Sequence, residues 1–424
     1  MIYDHVIVGG GPTGLTLATH LPGTVALIER QAVLGGCHRY DPRANPDFAE
    51  HGPRVYSGAY VNVAAILKTI GLSWDQVFER TSFSPELIDG KKWYQHLSAP
   101  EIAWLSWDYT IFALFDARHG QNISMAEYCA SKKFSAKSRA YIDAVCRFSD
   151  GAGADRYSLW EFVSGFDQHL RPFYSPKKTN DFLFETWHAY LEKRGVDIFV
   201  DADVTRVSRT SVMVGDVVVR AKKVILAIPP IHADALFRKS GIVNKGFKDF
   251  AKATKYEPYW SISFFGVRVD NAAGHRTTPW GVLAMQMPFG VVSAAATRWD
   301  VASPVTGATL ARSGVVEAAE EIRRQLGFPP GTKYAFIQSK FHDQAFVAAA
   351  RKGYVKSALR CGIDTVGCHN GKSNYHFTSM EAAVQNAMAY LDMRPASPWH
   401  ASDALRWVLV AFVAVIAARR ILKA

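Results

Sequence analysis

The sequence predicts an α/β protein built around a parallel sheet, and three observations near its start lead to that prediction. Ile2 to Val8 has the pattern of a short buried strand, Gly14 to Leu21 that of a helix, and Val25 to Ile28 that of a second strand. Glycines with the spacing Gly-x-Gly-x-x-Gly join the first strand to the helix. A strand, a glycine turn, a helix and a second strand are typical of a parallel βαβ unit.

Composition sets the size and the broad class of the protein. The chain has 424 residues, 49% of them hydrophobic, which is enough for two or three domains with sizeable cores. A formal net charge of +11 suits an anionic partner, but no run of five basic residues and no nucleic-acid-binding module accompanies it. Nucleic acid is therefore not an expected partner. The five cysteines lack CxxC spacing, which argues against a disulfide framework or a zinc site and indicates a reducing compartment.

The glycine turn has the features of a dinucleotide-binding loop. The first glycine permits a tight turn, the second lets the backbone approach a pyrophosphate, and the third lets the helix pack on the strand. Glu29 ends the second strand, where a carboxylate can accept hydrogen bonds from ribose hydroxyls. NAD, FAD and a tight turn without ligand all remain open from this motif. The predicted contacts come from Gly9, Gly11, Pro12, Thr13, Gly14 and Glu29.

The residues that follow Glu29 resemble the second signature of the flavin-containing amine oxidase superfamily. In that family a basic residue and a Gly-Gly-Arg run lie beside the pyrophosphate of FAD. Arg30 and Gly36 match that pattern, whereas Cys37 stands where the family has arginine. Arg39, two positions later, is the candidate for the phosphate contact. An ordinary loop is the alternative interpretation of the glycine pair.

A second segment, Glu50 to Tyr56, resembles the part of protoporphyrinogen oxidases and UDP-galactopyranose mutases that runs under the flavin. The resemblance implies that Gly52 and Pro53 lie against the isoalloxazine ring and that His51 or Arg54 presents charge to it. The alternative is a turn in which Arg54 is a surface charge.

Two later segments also resemble landmarks of this superfamily. Val204 corresponds to a valine whose backbone reads adenine, although taken alone it is an ordinary buried strand residue. Gly367 and Cys368 correspond to the closing signature at the ribityl chain, and Met380 and Glu381 open the helix that follows. Cys368 replaces an acidic residue of the family, so His369 or Asn370 is a candidate substitute. Ser379 is the expected N-cap of that helix.

Together these matches extend from residue 2 to residue 391 and imply the architecture. We expect a Rossmann-like FAD-binding domain of the GR2 type, with an inserted α+β substrate domain and a C-terminal hydrophobic helix. The expected boundaries are 1–73, 182–235 and 355–393 for the FAD-binding domain, 74–181 and 236–354 for the substrate domain, and 394–424 for the linker and helix.

Three functions are compatible with this resemblance. The first is an FAD-dependent oxidoreductase that holds FAD noncovalently and oxidises an amine or apolar small molecule; Lys255, His51 and Tyr375 are its candidate catalytic residues. The second is a non-redox flavin isomerase similar to UDP-galactopyranose mutase. The third is a catalytically inactive protein that keeps the FAD fold. Trp260 and Trp280 are expected either to shape a substrate pocket or to belong to the core.

The C-terminal tail is apolar from Leu405 to Ala418 except for Arg406, and basic residues follow. Residues 405–422 are therefore predicted to be a tail anchor that holds the catalytic part on the cytosolic face of a membrane, with a docking helix as the alternative. A loose similarity of residues 370–377 to flavoproteins of large DNA viruses suggests a viral membrane.

Overall fold

A computed structural model describes most of the chain. The described residues are 1–39, 55–82, 87–169, 171–178, 180–254, 256, 259–270, 277–287, 290–336, 354–373, 379–397 and 403–409.

The strands are short, as expected for an α/β protein with inserted segments. In chain order they are β1 Ile2–Val8, β2 Val25–Ile28, β3 Tyr56–Ser57, β4 Phe78–Arg80, β5 Leu87–Ile88, β6 Lys91–Lys92, β7 Phe173–Pro176, β8 Asp197–Phe199, β9 Val204–Ser208, β10 Ser211–Val214, β11 Val217–Leu226, β12 Trp260–Phe265, β13 Val282–Gln286, β14 Val291–Ala296, β15 Tyr334–Phe336 and β16 Asp364–Thr365.

The helices cover both faces of the main sheet and form much of the first insert. They are α1 Pro12–His20, α2 Val61–Thr69, α3 Trp74–Val77, α4 Ala99–Leu114, α5 Met125–Ser131, α6 Ala136–Asp150, α7 Leu159–His169, α8 Asn180–Lys193, α9 Pro230–Lys239, α10 Lys245–Ala253, α11 Val315–Gln325 and α12 Met380–Tyr390.

The main sheet has seven strands among the described residues, in the order β8-β2-β1-β11-β10-β9, with β16 also paired to β11. Strands β8, β2, β1, β11 and β16 run parallel, and β9 and β10 add an antiparallel edge. The predicted Rossmann-like α/β fold is confirmed. Strands β9 and β10 belong to the main sheet because β10 pairs with β11, which pairs directly with β1.

The first insert is a helical layer with its own core of buried aromatic and aliphatic residues from α4 to α7. The sequence pattern indicated an irregular region where α4 lies. Ser98 and Glu101 form a capping box that starts this helix, and Pro100 is compatible with its first turn. The sequence pattern predicts one helix over residues 124–144. The chain forms two helices there, α5 and α6, because Lys133 has a left-handed φ of 56° and Ser135 caps a new helix.

The second insert is an antiparallel sheet of four strands, in the order β13-β14-β12-β15, with α11 packed on one face. Trp260 and Trp280 are buried in the core between this sheet and α11. The indole N–H of Trp280 donates to the carbonyl oxygen of Val301 at 2.9 Å. Both tryptophans therefore belong to the core, which was one of the two expectations for them.

The C-terminal helix does not support the predicted anchor. Residues 403–409 are helical, and Arg406 Nε donates to the carbonyl oxygen of Ala113 at 2.6 Å, so the start of this helix docks on the end of α4. In the described part of the chain, no helix is long and apolar enough to cross a bilayer. This finding contradicts the predicted tail anchor and the cellular or viral membrane location inferred from it. Residues 410–422 of that segment lie outside the described residues.

Candidate functional site

Two glycines of the first turn are required by the packing of the fold. Gly9 has a φ of +111°, and a Cβ atom there would lie 2.6 Å from the carbonyl oxygen of Ala227. A Cβ atom on Gly14 would overlap the carbonyl oxygen of Gly9. Any side chain at either position would push α1 away from the ends of β1 and β11, which explains both residues without a ligand.

Gly11 differs from its neighbours because the protein does not crowd it. Its backbone is extended, with φ −77° and ψ 176°, a conformation open to any residue. Among the described residues, the nearest atom to a Cβ built here would be the Cα of Gly36, at an ordinary contact distance of 3.7 Å. Within the described residues, neither strain nor packing requires a glycine at this position. The backbone of Gly11 is therefore open to close approach.

The start of α1 lies directly beyond Gly11. Gly11 is the N-cap, Pro12 fills the first turn, and no side chain among the described residues caps the helix. The first N–H groups of a helix lack intrahelical acceptors and carry partial positive charge. This helix start is therefore suited to bind a phosphate.

Glu29 lies beside this turn at the end of β2, and it is buried. One carboxylate oxygen accepts a hydrogen bond from the Gly10 N–H at 2.7 Å, and the other accepts from the Gln31 N–H at 2.9 Å. Both bonds fix the side chain beside the glycine turn. Because a carboxylate has about four acceptor sites, lone pairs remain for hydroxyl groups of a ligand.

The second glycine loop faces the first. The Gly35 N–H donates to the carbonyl oxygen of Gly10 at 2.8 Å, and Gly36, with a φ of +56°, packs on Gly11. Arg39 Nη1 donates to the carbonyl oxygen of Gly36 at 2.8 Å, so its guanidinium lies over this loop. Arg30 is exposed. Arg39 lies two positions after the family's arginine, but the structure places its side chain beside the paired glycine loops.

The closing segment, which runs from Gly367 to the first turn of α12, lies beside the glycine turn of α1. Thr13 Oγ1 donates to the carbonyl oxygen of Ala383 at 3.3 Å, which joins the starts of α1 and α12. The Gly367 N–H donates to Asn370 Oδ1 at 2.9 Å, and Asn370 Nδ2 donates to the carbonyl oxygen of Val355. Asn370 is therefore used to hold the loop.

His369, the other candidate substitute for the missing acid, is buried beside Gly367. Its Nε2 has no hydrogen-bond partner among the described residues. Burial lowers the pKa of His369 to about 4, so the ring is neutral at physiological pH.

Cys37 and Cys368 lie near each other where the glycine loop meets the closing segment. Burial, with a smaller contribution from the neighbouring Cys37, raises the pKa of the Cys368 thiol to about 12. Cys368 is thus a neutral thiol and a poor nucleophile at neutral pH.

Val204 begins β9 on the side of the turn where Glu29 lies. Two residues earlier, the Ala202 N–H donates to the backbone carbonyl oxygen of Glu29 at 3.0 Å. The side chain of Val204 packs on the core of the main sheet.

The side chain of Glu381 performs a structural task that the sequence did not reveal. Glu381 Oε1 accepts from the N–H and the amide group of Asn62, and Oε2 accepts from the Val63 N–H. These N–H groups belong to the first turn of α2, so Glu381 caps one helix from another. The pKa of Glu381 is raised overall, because burial raises it by more than these hydrogen bonds lower it.

The first turn of α12 matches the expected geometry. Ser379 Oγ accepts from the Ala382 N–H at 3.0 Å, which confirms Ser379 as the N-cap. Met380 is buried in the core, so its backbone is the part that can meet a ligand.

Six predicted site residues fall outside the described residues. They are His51, Gly52, Pro53, Arg54, Lys255 and Tyr375.

Comparisons with known proteins bear on the fold. Residues 7–70 match the family described as NAD(P)-binding Rossmann-like domain. Comparison with the curated proteins by sequence gave no match.

Solved structures show likeness over nearly the whole chain. Putrescine oxidase bound to putrescine has a TM-score of 0.68 at 16% identity, with 92% of this chain and 98% of that one covered. Cyclohexylamine oxidase from Brevibacterium oxydans IH-35A has a TM-score of 0.65 at 13% identity, with coverages of 96% and 100%. A protein assigned as a protoporphyrinogen oxidase from Exiguobacterium sp. 255-15 has a TM-score of 0.60 at 15% identity, with coverages of 92% and 97%.

The class of protein follows from these findings. The chain begins with a Rossmann-like dinucleotide-binding domain. As a whole it has the fold shared by amine oxidases and protoporphyrinogen oxidase-like oxidoreductases, as the sequence resemblance predicted.

The two glycines of the first turn should respond differently to the same substitution. Gly14→Ala should lower the free energy of unfolding by about 2 kcal/mol or more, because its Cβ meets backbone that cannot move away. Gly11→Ala should change it by less than about 1 kcal/mol, since only an N-cap preference is lost. Urea unfolding followed by circular dichroism measures both. Equal losses in the two variants would show that Gly11 also serves packing.

Replacing Glu381 tests its role as a cap of α2. Glu381→Ala leaves buried donors of Asn62 and Val63 without an acceptor and should cost about 3 kcal/mol of unfolding free energy. Glu317→Ala is a matched control, because Glu317 accepts from the Gly314 N–H at an exposed helix start and should cost less than about 1 kcal/mol. Similar losses in both variants would contradict the assigned role.

Proposed function

We propose that this protein is an FAD-dependent oxidoreductase that oxidises an amine or another apolar small molecule. The observation that carries the proposal is Gly11, an uncrowded glycine at the uncapped start of α1, beside the carboxylate of Glu29. The match of the first domain to a dinucleotide-binding family and the likeness to two amine oxidases support it.

The residues present fit a dinucleotide of this kind. The first turn of α1 and the backbone at Gly11 would hold the pyrophosphate, with Arg39 supplying positive charge from the second loop. Glu29 would accept hydrogen bonds from the ribose hydroxyls of the adenosine and would repel the 2'-phosphate of NADP. Val204 would meet the adenine through its backbone.

FAD rather than NAD is favoured by the convergence of the closing segment on the same place. Thr13 and Ala383 join the start of α12 to the start of α1. The start of α1 suits the pyrophosphate, and the start of α12 suits the flavin ring, which gains negative charge on reduction. Burial keeps Cys368 a neutral thiol, which supports noncovalent binding.

The flavin, when bound, supplies the ability to accept two electrons and a proton from the substrate. Helix starts contribute stabilisation where negative charge develops. Lys252, at the end of α10 and three residues before the candidate Lys255, is exposed.

Anaerobic mixing of the purified protein with a panel of amines tests the proposed reaction. A primary alkylamine such as hexylamine, or a diamine such as putrescine, should bleach the flavin absorption near 450 nm within minutes, whereas hexanol should not. Admission of oxygen should restore the band and release peroxide if oxygen is the acceptor. A protein that dithionite reduces but no amine bleaches would instead favour the isomerase or the inactive alternative.

A further inference from the structure

A cation held between two aromatic rings lies where the helical insert meets the closing segment. The guanidinium carbon of Arg118 is 4.6 Å from the centre of the Trp160 ring and 5.8 Å from that of the Tyr354 ring. Trp160 is itself fixed, because its indole N–H donates to the carbonyl oxygen of Ala117 at 2.8 Å. Stacking of this kind orients a guanidinium and costs it none of its five N–H donors.

Tyr354 connects this cluster to the candidate cofactor site. A Cβ atom on Gly371, whose φ is +63°, would overlap the Tyr354 ring, so the ring lies directly on the closing segment. The next residue, Val355, donates its N–H to the carbonyl oxygen of His369 at 3.1 Å. Burial raises the pKa of Tyr354, and the adjacent Arg118 opposes that rise. The hydroxyl therefore stays protonated and can donate a hydrogen bond.

The charge of Arg118 is not neutralised within the described part of the chain. No ion pair there includes its side chain, which is exposed. Glu161 follows Trp160, but its Oε2 already accepts from the Ser158 N–H and hydroxyl at 2.8 and 2.7 Å. Burial raises the pKa of Glu161 to about 7, so this acid is largely protonated below neutral pH. The Tyr354 hydroxyl accepts a hydrogen bond from the Arg118 side chain but brings no charge. The positive charge and the remaining N–H donors of the guanidinium are therefore open to an anion.

We propose that Arg118 and Tyr354 form a binding site for a carboxylate group of the substrate. A guanidinium fork matches the two oxygens of a carboxylate, and a phenol adds a further donor. The choice of substrate class rests on the proposed function: an amine that also carries a carboxylate would be bound by this pair while its amine end reaches the flavin.

The competing explanation is that Arg118 only fastens the insert to the closing segment. The two explanations differ in what a ligand does. A structural clamp changes the stability of the protein alone, whereas a binding site changes the stability gained when a carboxylate is added. Lys132 offers a matched control, because its ammonium lies 3.9 Å from the centre of the Trp104 ring on the same insert.

The test measures the thermal shift of the purified full chain with hexanoate, hexylamine and hexanol as probes. Hexanoate should raise the Tm saturably in the wild type and in Lys132→Met. Its apparent affinity should fall about tenfold or more in Arg118→Met and less in Arg118→Lys, which keeps the charge but loses the fork. Tyr354→Phe should weaken hexanoate without affecting hexanol.

Unchanged hexanoate affinity in Arg118→Met, or equal binding of hexanol and hexanoate by the wild type, would overturn the proposal. Lower Tm values in Arg118→Met with an intact hexanoate shift would assign the clamp role instead. The readout needs no turnover, so hexanoate binding without amine-driven bleaching would refute the proposed reaction and leave this site standing. Bleaching of the flavin by an amine without hexanoate binding would refute the carboxylate site and leave the proposed reaction standing.

Discussion

The close approach of the first helix to the ends of the central strands is the constraint on which the rest of this structure depends. Gly14 lies on the carbonyl of Gly9, and Gly9 lies on the carbonyl of Ala227 at the end of β11. These contacts are possible only without side chains. They aim the start of α1 at the carboxyl ends of β1, β2 and β11, the edge at which ligands bind in open α/β sheets.

Each further part of the candidate site is held relative to this edge. Glu29 is fixed by the Gly10 N–H, and the second glycine loop by the Gly10 carbonyl. The closing segment follows β16, which pairs with β11, and α12 is tied to α2 through Glu381. A site made of backbone groups needs such support, because an error of about 0.5 Å already weakens a preorganised contact.

The first insert is joined to the nucleotide-binding domain by a small antiparallel sheet, in which β3 pairs with β7 and β7 pairs with β4. The helical insert presents Arg118 to Tyr354 beside the closing segment, and the second insert buries Trp260 and Trp280 away from it, against α11. The two tryptophans are thus core residues, whereas Arg118 is exposed and stacked where the helical insert meets the closing segment.

Local patterns predicted the parts of the fold that short-range physics determines. β1 and β2 lie where the apolar runs indicated, and Ser379 caps α12 as expected. Tertiary contacts decided the rest. Lys133 adopts a left-handed conformation that ends α5, and no sequence pattern signals it. The pairing of Glu381 with Asn62 joins residues 319 positions apart, so only the folded chain reveals that this acid is a cap.

The central claim is that the glycine turn, Glu29 and the closing segment hold FAD without a covalent bond. The most direct measurement is the visible absorption spectrum of the purified protein, followed by acid precipitation and chromatography of the supernatant. The account predicts flavin bands near 375 and 450 nm, at about one FAD per chain, with all the flavin released into the supernatant. A colourless protein that takes up no FAD when supplied with it would contradict the account, and a flavin that stays in the pellet would contradict noncovalent binding.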